Sequence, residues 1–204
     1  QSNANKEDGL ALLRQFITQL PQLKNANEPY PISLRGINWI KFLVQHEIRD
    51  ALIDNSLYSQ YALLRNSIEY HLLGNHLLEN ACSLYIGGIY FNDEKLKSKG
   101  FVLLSKELKE QILLDGGHYE LSPMYHQILL SRLLDCYNFA KDPTEKQVLK
   151  SYALKMLAWL NAHPEKQLQG RSLDAATVIS GFVLGVLVTI SSIGAGAVGA
   201  TLLV

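Results

Sequence analysis

Two short stretches concentrate the side chains able to move protons. In GNHLLEN, residues 74–80, His76 and Glu79 stand three apart and so share a helix face, with Asn75 at or beside the N-cap. In DGGHYELSPMYH, residues 115–126, His118, Tyr119 and Glu120 precede Pro123, and Tyr125 and His126 fall in the first turn of the next helix. Both stretches lie at helix N-termini, where free N–H groups and the helix dipole favour an anion. Asn or His at such a position can neutralise a carboxylate, and a Tyr can carry a proton. Together they suit proton abstraction next to a carboxylate, provided the enolate-like charge that develops is stabilised. A Tyr with an ordinary pKa of about 10 needs help to act as a base at neutral pH. Plainer roles fit the same residues: Asn75 as a simple N-cap, His76 with Glu79 as a surface pair, Tyr125 as part of an apolar helix face.

Other chemistries find less support. The six histidines, at 46, 71, 76, 118, 126 and 163, form no H-x-x-x-H and no acidic cluster accompanies them, so neither a metal nor another cofactor is expected. No Ser-His-Asp or Cys-His arrangement is present, and no Gly-rich phosphate loop follows a strand. Cys82 and Cys136 lie in patterned helical segments and read as small buried hydrophobes. Lys plus Arg equals Asp plus Glu, 19 each, so no global field argues for nucleic acid.

The elements that must position these residues are helical. Apolar spacing predicts helices over about 7–20, 33–53, 56–73, 75–91, 93–114, from Pro123 onward, and 143–162, with DNS at 54–56 as the break between the second and third. Gly100 is a weak spot in the fifth. Strand signals are nearly absent. The class is therefore all-α, built as antiparallel helical hairpins, and a solenoid, a bundle or an α/α toroid would each fit. Residues 1–6 read as a cloning remnant, and residues 7–170 as the helical domain. Residues 175–204 carry no charge and are long enough to span a bilayer, with Gly181 and Gly185 in a G-x-x-x-G. A membrane span, a buried hairpin and the product of a shifted reading frame compete for that tail.

Three segments in order, ISLRGINWIKFL (32–43), GNHLLENACSLYIGGIYF (74–91) and QILLDGGHYELSPMYH (111–126), resemble the helical N-terminal domain of the heparinase II/III-like polysaccharide lyases over about residues 31–159. The resemblance implies an incomplete α/α toroid, followed in full-length members by a β-sandwich. It implies β-elimination in an acidic polysaccharide: the C5 proton of a uronate is abstracted and the 4-O-glycosidic bond breaks. Tyr125 matches the family tyrosine that handles the proton. The carboxylate-neutralising position falls on Asn75 or His76, 50 or 49 residues upstream. His76 with Glu79 matches a His-x-x-Glu of some relatives, and Arg35, Asn38 and Trp39 match R-x-x-N-W. Trp39 is then a sugar platform or a helix-core residue, and His118 and Glu120 order the loop or touch substrate. The family also favours a periplasmic or cell-envelope location.

The sequence departs from the family after the seventh helix, where HPEKQLQGRS gives way to the uncharged tail. Nothing here matches the catalytic histidine that the sandwich supplies. A catalytic half-site is expected, with little or no lyase activity alone. The alternative is a non-catalytic glycan-binding or membrane-anchored helical module.

Overall fold

The helix starts are written locally. Asp50, Asp93, Ser122 and Asp142 each accept backbone N–H groups of the turn that follows, and Pro123 and Pro143 sit where a missing N–H does no harm. The computed structural model describes residues 2–72 and 74–163. It contains α1 (Ser2–Gln19), α2 (Pro29–Gln45), α3 (Ala51–Asn66), α4 (Gly74–Phe91), α5 (Glu94–Gln111), α6 (Pro123–Phe139) and α7 (Pro143–Ala162), with two short 3-10 turns between α1 and α2. Among the described residues there is no strand, only an isolated antiparallel bridge between Ile112 and His118. None of these helices is long and apolar enough to cross a membrane, and the uncharged run 175–204 lies outside the described residues.

Several helix boundaries differ from the sequence reading: α1 begins at Ser2 rather than 7, α2 at Pro29 rather than 33 and α5 ends at Gln111 rather than 114, and the largest differences flank α3. The helix predicted over 33–53 stops at Gln45, and DNS falls inside α3. Glu47 takes a left-handed φ of 53°, and the Asp50 carboxylate then caps Leu52 and Ile53. Ile48 and Leu52 continue the apolar spacing across this break, which hides it from periodicity. The helix predicted over 56–73 stops at Asn66, because the backbone N–H of Glu69 turns in to donate to Asn80 Oδ1.

Helices α2, α4 and α6 run parallel. The Asn80 amide donates to Ser33 Oγ, Arg132 meets Glu79, and Cys136 approaches the Cys82 carbonyl, so the register advances in one direction on all three. Their C-terminal ends meet as well, with Val44, Tyr90 and Phe139 lining one groove. Helices α5 and α7 run back against them. The most enclosed element is α4, buried along nearly its whole length, and both cysteines are buried free thiols, as their positions predict. On α6 a stripe of Met124, Ile128 and Leu134 stays exposed, 38% or more in each case.

Gly100 turns out to be a contact rather than a weakness. A Cβ there would collide with the backbone of Leu84 and Tyr85, and one on Gly88 with the backbone of Lys97. The α4–α5 hairpin closes backbone to backbone through these two positions. Gly100→Ala is expected to lower stability by about 1–3 kcal/mol through overpacking, against the gain of about 1 kcal/mol that helix propensity alone would give. The urea midpoint measures which sign wins.

The loop between α5 and α6 is held by neutral histidines. The backbone N–H of His118 donates to His126 Nδ1, which leaves His126 Nε2–H to donate to the Met156 carbonyl at 3.0 Å. His118 Nδ1 likewise accepts from the Glu120 N–H, so its Nε2–H donates to Gln111 Oε1. The Gln111 amide passes on to the Gly74 carbonyl and to Glu107. Burial lowers the pKa of both histidines below the ordinary 6.5, because the charged form would be desolvated. Below about pH 6.5 the unfolded chain therefore binds more protons than the folded one, so stability falls as pH drops toward the depressed folded values. The capping carboxylates of Asp50, Asp93 and Asp142 sit below their usual 3.8 and titrate well under that window. The urea midpoint should thus decline between about pH 7 and pH 5, with a shallower slope in His126→Asn. Glu79, whose carboxyl pKa burial raises, contributes the opposite sign, so the comparison of slopes decides: equal slopes in wild type and His126→Asn would contradict a neutral His126.

Candidate functional site

Parallel packing brings three helix N-termini to one end of the molecule: Tyr30 in the first turn of α2, Asn75 and His76 in that of α4, and Tyr125 in that of α6. The Tyr30 ring stacks on His76, centroids 4.1 Å apart and planes 18° from parallel. Its phenol pKa is raised, first by burial and then by the fields of Glu79 and Tyr125, with Arg132 opposing. Tyr30 thus stands between the two chemically crowded stretches of the sequence and joins them.

A chain of charged side chains lies beneath, buried at Glu79 and Asp135, partly buried at Arg132 and more open to solvent at Lys41. Arg132 Nε donates to Glu79 Oε1 at 2.6 Å, Arg132 also reaches Asp135, and Lys41 on α2 donates to Asp135 at 2.6 Å. Burial raises the Glu79 carboxyl pKa while Arg132 pulls it back. Burial also works against the Arg132 charge, yet Glu79 and Asp135 outweigh it and hold the guanidinium pKa above its ordinary value. The short contact is that of an ion pair, and it commits Arg132 to the protein.

The remaining motif residues surround this centre. The Asn75 side chain is half-buried, and its backbone N–H donates to Glu120 Oε1 at 3.0 Å, so Glu120 caps α4 from the loop. His118 is buried in the loop network described above. Arg35 donates to Gln60 Oε1 and to the Ala26 carbonyl and lies over the Phe16 ring, and burial brings its pKa down to about 10. Trp39 is 9% exposed, with Phe16 edge-on to it at 5.6 Å. Both side chains pack α1 and the 3-10 turns onto α2 and present little surface to a ligand. Among the described residues no group of three His, Cys, Asp or Glu converges as a metal site.

Three residues of this region lie outside the sequence motifs. Arg132 is seven residues after Tyr125, on the same face of α6, a spacing that could have revealed it. Tyr30 and Glu69 carry no such signal, since a loop and a turn fold them in from a distance. Glu69 is buried, accepts from the Asn80 amide at 3.2 Å, and places Oε1 3.6 Å from His76 Nδ1.

Comparison with known proteins bears on the family and the fold. Residues 32–163 match the family described as Heparinase II/III N-terminus. A heparin-sulfate lyase of Pedobacter heparinus is 34% identical over 103 residues, which cover 48% of this chain and 15% of that protein. Another from Bacteroides stercoris is 31% identical over 75 residues, 35% of this chain and 11% of that protein. The chain thus matches only a small part of the length of these relatives. The crystal structure of heparan sulfate lyase HepC from Pedobacter heparinus superposes with a TM-score of 0.51 at 21% identity, over 74% of this chain and 27% of that one, a likeness of fold. With the family match running from α2 to the end of α7, the chain belongs to the heparinase II/III-like family, as its helical N-terminal domain.

Proposed function

We propose that this chain supplies the helical part of a lyase site acting by β-elimination on a uronate-containing acidic polysaccharide, a glycosaminoglycan of the heparan sulfate kind. The observation that supports it best is the convergence of three helix N-termini on Tyr30, Asn75, His76 and Tyr125. Such an end favours an anion through its helix dipoles, and the uronate carboxylate is the anion that the reaction needs to neutralise. Asn75 or His76 faces that carboxylate. Tyr125 handles the proton taken from C5, the C5–H electron pair forms the C4–C5 double bond, and the 4-O-glycosidic oxygen leaves and takes up a proton. The helical array is an incomplete toroid in this reading, and a β-sandwich supplies the remaining catalytic histidine. Glu79 acts through Arg132 and His76, Glu120 and His118 hold the loop under Tyr125, and Arg35 and Trp39 set α2. The stretch 175–204 serves as an anchor only if it enters a membrane.

The competing reading is a non-catalytic glycan-binding module, and one pair of measurements separates them. Binding of uronate oligosaccharides by calorimetry should weaken about tenfold in His76→Ala or Asn75→Ala and should fail with carboxyl-reduced oligosaccharide, consistent with loss of one charge-assisted contact. With the β-sandwich half supplied, unsaturated uronate, followed by its ultraviolet absorbance on a panel of polysaccharides, should appear with wild type and fall by about a hundredfold or more in Tyr125→Phe. Equal silence of both proteins in the presence of that half, with glycan binding intact, would favour the binding module.

A further inference from the structure

His76 Nδ1 is a buried atom with no hydrogen-bond partner, although 37% of its side chain is exposed. What it faces is Glu69 Oε1, 3.6 Å away, a carboxylate whose side chain is 9% exposed. Glu69 is not free to turn aside. Its Oε2 accepts from Asn80 Nδ2 at 3.2 Å, its backbone N–H donates to Asn80 Oδ1 at 3.0 Å, and Asn80 is itself fully buried and donates to Ser33 Oγ at 3.0 Å. Tyr30 closes the other side by stacking on the imidazole ring. If Nδ1 carried a lone pair, that buried atom would face a carboxylate oxygen, two acceptors confronting each other, with no donor of its own. If Nδ1 carries the proton, the contact is attractive and tightens with a small movement of either side chain.

We propose that Glu69, held by Asn80 and Ser33, is a positioning residue that keeps the proton on His76 Nδ1 and so reserves Nε2 for substrate. This rests on the reading of His76 as a residue that meets the uronate carboxylate. In the imidazolium form Nε2–H donates to that carboxylate while Glu69 offsets the added charge from behind. In the neutral form Nε2 is an acceptor on the ligand side. The arrangement is the reverse of His118 and His126, whose Nδ1 atoms accept from backbone N–H groups and whose protons sit on Nε2. One protein thus holds histidines in both tautomers, and the loop pair serves as an internal reference.

The test needs no substrate. Long-range 1H–15N correlation spectra of the full chain, recorded at about pH 8.5 where imidazoles are neutral, report the tautomer of each histidine, with His76→Gln identifying its signals. Wild type should show Nδ1–H at His76 and Nε2–H at His118 and His126. Glu69→Gln has one acceptor oxygen, which Asn80 Nδ2 claims, so its NH2 turns to His76 Nδ1 and should move the ring to Nε2–H, as Glu69→Ala should. A wild-type His76 already protonated on Nε2, or a Glu69→Ala or Glu69→Gln protein whose His76 stays on Nδ1, would each overturn the proposal. Should Glu69→Ala fail to fold, the wild-type and Glu69→Gln spectra still decide. Because tautomers are read without glycan, failure here is distinct from failure of the lyase reading, which rests on binding and product formation.

Discussion

The ion pair between Glu79 and Arg132 is the constraint on which the arrangement of the site rests. It joins α4 to α6 at 2.6 Å, and Arg132 and Lys41 share Asp135, which extends the tie to α2. A pair of this kind is a poor source of net stability, since desolvation offsets most of the attraction, but losing one partner costs about 3–5 kcal/mol because the other charge is stranded. Its value lies in register. Sliding α6 along α4 by one turn would separate both pairs at once, and Tyr125 would move with it, away from Tyr30 and His76.

The dense chemistry of the two motifs divides into two jobs. In the α5–α6 loop the histidines are buried, neutral and fully engaged, so they tie α5, the loop and α7 together. Glu120 belongs to the same work, because its carboxylate caps the first turn of α4. Tyr125 and His76 keep partly exposed side chains at the joined helix ends. A loop crowded with titratable groups is therefore not a crowd of acids and bases. Most of it builds the floor on which Tyr125 stands.

Much of this was legible in the sequence, and the rest was hidden for identifiable reasons. The later helices announce themselves through Asp93, Ser122, Pro123 and Asp142, since capping is decided within one turn. The α2–α3 corner does not, because Ile48 and Leu52 keep helical spacing across a left-handed Glu47. The segments 74–80 and 115–126 were visible as candidate chemistry from residue types alone, and their encounter was visible only through the family resemblance. Tyr30 and Glu69 could not be found either way: each acquires its neighbours from packing between distant parts of the chain. Gly100 misled most directly, as helix propensity scores a residue against solvent and takes no account of a neighbouring backbone at contact distance.

The two halves of the site ride on elements of unequal stiffness. His76 stands on α4, which α2, α3, α5 and α6 enclose and which the glycine contacts fasten to α5. Tyr125 stands on α6, whose Met124, Ile128 and Leu134 stripe has no cover among the described residues. In a stacked helical array stability is the sum of nearest-neighbour interfaces, so an element covered on one side is the softer one. On the lyase reading proposed above, His76 is thus the fixed jaw of the site and Tyr125 the compliant one. The distance between them is therefore more sensitive to a change in α6 than to one in α4.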